Sequence, residues 1–106
     1  MIQTFKAQAG TVTPDGFGGQ ITVWNDAIYN IKGYLDMLTG SDRNQSENAV
    51  TERSTHVLII PEMRNDLNDK MRIVDSNGRA YLIEYVDDPV GVGHHLEVYL
   101  TYDKEV

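Results

Sequence analysis

The sequence predicts an all-β, mainly antiparallel fold, with six or seven short strands arranged as a small barrel or sandwich. Apolar and polar residues alternate over short runs, which is typical of half-buried strands. Clusters of Gly, Pro, Asn and Asp separate these runs, as turns do. No stretch shows long helical periodicity, which disfavours helix bundles and doubly wound sheets. At 106 residues the chain is expected to be one domain, 1–106, with a modest core.

The clearest element is a hairpin predicted within the segment from Asp69 to Pro89. Its strands are Met71–Val74 and Ala80–Val86, and Ser76-Asn77-Gly78 supplies the turn residues. Asn and Gly tolerate the backbone conformations that tight hairpin turns require. The rest of the fold is expected to assemble around this hairpin.

The residue pattern also selects the length of this turn. A two-residue turn would mix polar and apolar residues on both faces of the hairpin. A three-residue turn pairs Ile73 with Tyr81, gathers the apolar residues on one face, and sets Asp75 opposite Arg79 as an ion pair. Gly78 then takes the left-handed conformation that such a turn needs.

The other strands are predicted from weaker patterns. The glycine-rich segment Gly10–Gly19 reads as a loop or hairpin tip, and it lacks the Lys-Ser/Thr pair of a phosphate-binding loop. The last four residues, Asp103–Val106, are expected to form a tail. The five predicted strands outside the central hairpin are Ile2–Gln8, Gln20–Trp24, Ala27–Leu38, His56–Pro61 and His94–Tyr102.

Alternation assigns faces within these strands. In the final strand, Leu96, Val98 and Leu100 line the side opposite to Glu97. In the Ala27–Leu38 strand, the same reasoning places Ala27, Tyr29 and Ile31 together and interprets Gly33 as a bulge or bend.

One long polar segment interrupts the strand pattern between Leu38 and His56. Its residues favour either a short helix from about Asp42 to Val50 or a long mobile excursion. Long loops in compact domains are often functional, so this segment is a candidate site. Its residues are Thr39, Gly40, Ser41, Asp42, Arg43, Asn44, Gln45, Ser46, Glu47, Asn48, Ala49, Val50, Thr51, Glu52, Arg53, Ser54 and Thr55.

A second polar cluster flanks the turn before the last strand, and it consists of Asp87, Asp88, Pro89, His94, His95 and Glu97. Imidazole and carboxylate are good metal ligands, but adjacent histidines in a strand point to opposite faces and do not easily share one ion. Turn and strand-surface roles are therefore favoured over metal binding or catalysis. No serine lies in a G-x-S-x-G elbow, and we expect no catalytic residue, metal or cofactor.

Composition narrows the classes of partner. The net charge is −7, whereas a face that binds duplex DNA is usually basic. The chain has no cysteine, so it has no thiolate metal site. The strand tyrosines are not interleaved with Lys and Arg as a single-strand platform would be. No apolar run approaches the ~18 residues of a membrane helix, and the N-terminus lacks a signal-peptide pattern.

Taken whole, the sequence resembles the phage head–tail joining family, also called head-closure or head–tail adaptor proteins, of the type found in tailed phages and prophages of Gram-positive bacteria. The most specific part of the resemblance is Val86-Asp87-Asp88-Pro89 followed by His94-His95-Leu96-Glu97. It departs from some relatives in having no Arg-rich strand after the long loop. The other segments that carry it are Trp24 before Ala27, Tyr34–Gly40, Ser54–Leu58 and Asn77–Tyr81.

The resemblance implies a small SH3-like β-barrel that forms a ring with copies of itself under the portal or its adaptor. The ring would close the DNA exit channel after packaging and offer a docking surface to a tail-completion or tail protein. The segment Thr39–Thr55 would be the plug, facing packaged DNA without sequence-specific binding. The protein would be made in the host bacterial cytoplasm and reside in the virion at the head–tail interface, with no membrane contact and no cofactor.

Two other functions remain open at this point. A tail-completion protein would have a similar size and strand content. A small metal-dependent enzyme could use His95, Glu97 and the Asp87-Asp88 pair. The exposed edge expected for the His56–Pro61 strand is a further hypothesis, because strand addition there could join neighbouring copies.

Overall fold

The computed structural model describes residues 2–38, 54–88 and 94–106. Within them six antiparallel strands close into a barrel in the order β1-β2-β3-β6-β5-β4, which confirms the predicted all-β fold. The described ranges contain no helix. The strands are β1 (Gln3–Pro14), β2 (Gln20–Met37), β3 (His56–Ile60), β4 (Met71–Val74), β5 (Arg79–Asp87) and β6 (Leu96–Glu105).

The hairpin predicted within the segment from Asp69 to Pro89 is confirmed as β4–β5. Ile73 pairs with Tyr81, and the turn contains three residues, with Gly78 at φ 81°. The predicted ion pair between Asp75 and Arg79 is wrong. The Asp75 carboxylate instead accepts hydrogen bonds from the backbone N–H groups of Asn77 and Arg79, both at 2.9 Å.

The barrel interior is filled by the alternate residues that the sequence patterns indicate. Leu96, Val98 and Leu100 of β6 are buried, as predicted, and Glu97 lies on the outer side. The C-terminal residues predicted as a tail instead extend β6 to Glu105. The residues that form the core are Phe5, Ala7, Ile31, Leu58, Ile60, Leu67, Met71, Ile73, Tyr81, Ile83, Leu96, Val98 and Leu100.

The first two strands differ most from prediction, because they are long rather than short. β1 has 12 residues and continues through Gly10, and β2 has 18 residues and continues through Asn25 and Asp26. The chain reverses over residues 15–19, so only the second half of the predicted glycine-rich loop is a turn.

A bulge in β2 explains why its predicted face is wrong. Asn30 has φ 59°, and Tyr29 and Asn30 together oppose one residue of β1. This bulge shifts the alternation, so Ile31 is fully buried while Tyr29 is 61 % exposed. Gly33 is in register and is no bulge. It is a close approach instead, since a Cβ there would lie 2.8 Å from the Ile59 carbonyl oxygen.

The strand β3 has neighbours on both sides, which overturns the predicted open edge. Leu58 pairs with Leu35 of β2 on one side and with Val98 of β6 on the other. Strand addition at β3 is therefore not a route to a ring contact, because its backbone groups already lie within the sheet.

Beyond Ala9, β1 and β2 pair only with each other among the described residues, since β4 contacts β1 at Lys6–Ala9 and β3 contacts β2 at Tyr34–Met37. Residues 10–24 thus form a two-stranded hairpin that projects from the barrel. We call this hairpin the arm.

Candidate functional surfaces at the two ends of the barrel

The predicted plug segment leaves and re-enters the barrel through a hydrogen-bonded stem formed by Leu38, Ser54 and Thr55. The Leu38 N–H donates to the Thr55 carbonyl oxygen at 2.9 Å, and the Thr55 N–H donates to the Leu100 carbonyl oxygen at 2.8 Å. Ser54 is fully buried. Ser54 and Thr55 therefore belong to the barrel wall rather than to the loop in which the sequence placed them.

The Thr55 hydroxyl connects three parts of this stem. It accepts a hydrogen bond from the Tyr102 N–H at 2.8 Å, lies 3.5 Å from the Leu100 carbonyl oxygen, and sits 2.8 Å from Nδ1 of His56. The His56 ring in turn packs edge-on against Tyr81, with ring centroids 5.0 Å apart. The residues that flank 39–53 are therefore hydrogen-bonded to each other, and Thr55 is bonded in turn to β6.

Residues 39–53 themselves lie outside the described residues, so their helix and their plug role stay predictions. The same holds for Pro89 of the second predicted cluster. The described members of that cluster lie on or near β5 and β6, where Asp87 pairs with Glu97. Asp87, Asp88, His95 and Glu97 are half-buried, and His94 is exposed.

The cluster around Asp87 has an electrostatic effect on its neighbour Tyr99. Burial, followed by the negative charges of Glu97 and Asp87, raises the pKa of the Tyr99 hydroxyl above its ordinary value of 10.0. Within residues 2–38, 54–88 and 94–106, no three His, Asp or Glu side chains stand close enough to hold a metal ion. The arrangement offers a half-buried acidic surface.

The strand registers place the two predicted sites at opposite ends of the barrel. At one end, His56 pairs with Leu100 and β6 runs on to Glu105, which pairs with Arg79 beside the β4–β5 turn. At the other end, Ile60 pairs with Leu96. The stem therefore lies towards the β4–β5 turn, and the Asp87 cluster lies at the far end. We call these the stem end and the arm end.

The arm projects past the arm end, because Ala9 pairs with Met71, the first residue of β4. Its tip is a built turn: Oδ1 of Asp15 accepts from the N–H of Phe17 at 2.7 Å and of Gly19 at 3.0 Å. Gly16 and Gly18 have φ 85° and 84°. The result is a phenylalanine side chain, Phe17, held 94 % exposed.

A polar network fixes the base of the arm to the barrel. The Arg72 guanidinium stacks on the Trp24 ring, 4.6 Å from its centroid, and its Nε donates to Oε1 of Gln8 at 2.6 Å. Gln8 in turn donates from Nε2 to Asp26 at 2.8 Å. Hydrogen bonds from Gln8 and then Lys6 lower the pKa of the Asp26 carboxyl below its ordinary 3.8.

Arg72 is an unusual residue for this position, since its side chain is only 7 % exposed. Burial lowers the pKa of its guanidinium. Its Nη1 makes no hydrogen bond and lies 3.9 Å from the Asp103 carboxylate. A buried cation with an unsatisfied nitrogen is costly, and the stack on Trp24 offsets part of that cost.

The arm is not among the sites that the sequence predicts. Two signals could have found it. The strands that flank the turn both alternate Thr with Val or Ile, at Thr11-Val12-Thr13 and Ile21-Thr22-Val23. The turn itself has an Asp followed three residues later by a Gly, as in the Asp75–Gly78 turn that was read correctly.

Comparison with known proteins identifies the family. The described residues include no helix that could cross a membrane. No curated protein matches the chain. The family model described as phage head completion protein matches residues 2–102, which is nearly the whole chain and includes both ends of the barrel. The chain therefore belongs to the phage head completion protein family, and its role is that of a structural virion protein that contacts other head or tail proteins.

Proposed function

We propose that copies of this protein form a ring beneath the portal and its adaptor, close the DNA exit channel after packaging, and present a docking surface to the tail. The observation that carries the proposal is membership of the head completion family over residues 2–102. In this proposal residues 39–53 are the plug that enters the channel.

The stem supports the plug role physically. A segment that blocks a channel under DNA pressure must transmit force to a rigid base, and Leu38 and Thr55 are hydrogen-bonded to each other, with Thr55 bonded in turn to β6. The net charge of −7 supports a further part of the proposal. An acidic ring repels the phosphate backbone, so DNA can pass during packaging without adhering to the wall.

Because the two candidate surfaces lie at opposite ends of the barrel, each end can contact a different part of the connector. If the stem end faces the channel, the Asp87 cluster and the arm are directed elsewhere and are free to contact the adaptor, the tail or other copies. A ring requires a contact in which one patch meets a different patch on the next copy.

The test uses DNA-filled, tailless heads that lack this protein. Added protein should cosediment with the heads and make the packaged DNA resistant to nuclease. A variant with residues 41–51 replaced by a short Gly-Ser linker keeps Leu38, Ser54 and Thr55, so it should bind the heads but leave the DNA exposed. Its thermal unfolding should match that of the wild type, which serves as the folding control.

Two outcomes would contradict the proposal. Protein that ignores such heads but binds purified tails would be a tail-completion protein. A shortened variant that still protects the DNA would remove the plug role from residues 39–53 while leaving head binding in place.

A further inference from the structure

We propose that Phe17 at the tip of the arm inserts into an apolar pocket at the base of the arm of the next copy, so that the arm is the contact that joins neighbours in the ring. This inference rests on the proposed ring. It gives a role to the arm, to which neither membership of the family nor the proposed plug assigns one.

The tip presents one exposed apolar side chain, Phe17, on a rigid turn, and we call this side chain the knob. Phe17 is 94 % exposed, although phenylalanine is usually buried. The turn that carries it is held by both Asp15 hydrogen bonds and by two glycines at positive φ. A rigid tip loses little conformational entropy on binding, which is how preorganised contacts gain affinity.

The pocket lies on the same molecule but away from the tip. It has a volume of about 560 Å³ and is bounded on the arm side by Val12, Thr22 and Trp24 and on the barrel side by Met71 and Leu82. A cavity of roughly 150 Å³ is enough to hold a benzene ring, so a phenyl side chain and part of its turn fit here. Aromatic anchors in such pockets dominate many protein interfaces.

A molecule cannot fill its own pocket in this way, because Phe17 and Trp24 lie at opposite ends of the arm. The pocket begins at Val12 and Thr22, three residues of extended strand from the turn, or roughly 10 Å, and continues towards Trp24. A knob and a hole at separate places on one surface make a head-to-tail contact, and such contacts produce a ring when the rotation closes.

Charge favours another copy of the arm as the occupant. Each copy carries −7, so most surfaces of two copies repel each other, but residues 10–24 contain a single charged residue, Asp15. Among the residues that line the pocket, Asp69 and Glu84 are acidic and Lys70 is basic, so an occupant with few charges meets the least repulsion. The arm tip carries only Asp15, whose Oδ1 already accepts hydrogen bonds from the Phe17 and Gly19 N–H groups.

The size of the arm fits a contact that forms only on assembly. A stable interface uses about 20–30 residues a side, and the 15 residues of the arm supply roughly half to three-quarters of that number. The knob contact alone is therefore too small to hold free copies together at low concentration. It becomes sufficient when the adaptor brings copies side by side.

The test places a photoreactive benzoylphenylalanine at position 17 and binds the protein to DNA-filled, tailless heads as an equal mixture of isotopically light and heavy chains. Cross-links are expected between position 17 and the peptides that contain Met71 or Leu82, with light-to-heavy pairs showing that two copies are joined. The chain has no cysteine or disulfide that would complicate the peptide mapping.

Two variants address the knob and the hole separately. Phe17→Ser removes the knob, and Thr22→Trp fills the pocket from an exposed strand position. Each should raise the protein concentration needed to occupy heads by at least about tenfold, the cost typical of losing an interface anchor. Met63→Ser, at a 46 % exposed apolar residue outside the arm and pocket, is the matched control and should change nothing.

The failures of the two proposals are distinguishable. Wild-type protein that does not bind heads contradicts the ring and this contact with it. Wild-type protein that protects the DNA, together with Phe17→Ser protein that does so at the same concentration, contradicts the contact alone. Cross-links from position 17 only to the adaptor or to a tail protein would also overturn it, since they would identify a different occupant.

Discussion

The two hairpins of this protein use the same turn for opposite purposes. In the arm, Oδ1 of Asp15 accepts from the N–H groups two and four residues later, and in β4–β5 Asp75 does the same. In each turn the Asp N–H also donates to the carbonyl oxygen four residues on, at 3.2 and 3.0 Å. A glycine at positive φ, Gly18 or Gly78, follows three residues after the Asp.

The difference between them is clear at the second pair of strand residues beyond the turn aspartate. In β4–β5 the pair is Ile73 and Tyr81, which are 0 % and 2 % exposed. In the arm the equivalent pair is Thr13 and Ile21, and Ile21 is 52 % exposed. The β4–β5 hairpin is flanked by β1 and β6, whereas the arm has no flanking strand among the described residues. The conformation of a turn depends on the residues within it, whereas the burial of the adjoining strands depends on which other strands pack beside them.

The largest test of this contrast compares isoleucine in the two hairpins. Ile73→Ala should lower the free energy of unfolding by about 2–5 kcal/mol, because it leaves a cavity in a closed core. Ile21→Ala removes the same atoms from an exposed strand and should cost under about 0.5 kcal/mol. Urea unfolding followed by circular dichroism measures both. Similar losses for the two variants would mean that the arm is packed as firmly as the barrel.

A smaller difference in the free energy of unfolding is expected between alanine substitutions of the two turn aspartates. Asp75→Ala leaves two backbone N–H groups without their acceptor and also removes the acceptor of the buried Tyr81 hydroxyl, 3.2 Å away. That should lower the free energy of unfolding by about 1–3 kcal/mol.

Asp15→Ala breaks the matching pair of backbone hydrogen bonds, but the arm tip faces water, which can replace them. We expect a loss of under about 1 kcal/mol in global stability, together with faster amide exchange confined to the arm tip. Hydrogen exchange measured by mass spectrometry separates the local effect from the global one. An equal loss of global stability in both variants would contradict the view that only one hairpin belongs to the cooperative core.

The same contrast explains what the sequence could and could not predict. The β4–β5 register follows from alternation on both sides of the turn, since only one turn length puts Ile73 and Tyr81 on the same face. Leu96, Val98 and Leu100 follow from the same reasoning. In these strands buried and outward-facing residues alternate regularly, because every inward-facing residue packs into the same core.

Predictions failed where tertiary contacts override the local pattern. Gly10 and Gly19 look like parts of one loop, but Gly10 lies in β1 opposite Trp24, where a Cβ would meet the Thr22 side chain at 2.9 Å. The bulge at Asn30 shifts the face of β2, and although asparagine tolerates positive φ, an asparagine within an alternating run does not by itself predict a bulge. The closure that buries both edges of β3 depends on six strands at once, so no single stretch encodes it.

The smallest expected effect is a pH-dependent change in the hydrogen-bond network at the base of the arm. Hydrogen bonds from Gln8 and Lys6 hold the pKa of Asp26 below 3.8. A carboxyl with a lowered pKa in the folded state stabilises the fold above its ordinary pKa, and this stabilisation is lost as the pH falls through the folded value. Below that pH, neutral Asp26 orients Gln8 less firmly, and Gln8 in turn orients Arg72 against Trp24.

Trp24 is the one tryptophan in the chain, so tryptophan fluorescence reports on the surroundings of this ring, which include Arg72. Its emission should stay constant from neutral pH down to about the ordinary carboxyl pKa and shift only below it, while far-UV circular dichroism still shows the barrel. In Asp26→Asn the shifted emission should already be present at neutral pH and should not titrate. An emission change with its midpoint above 3.8, or one that persists in Asp26→Asn, would assign the titration to another carboxyl and separate the arm base from Asp26.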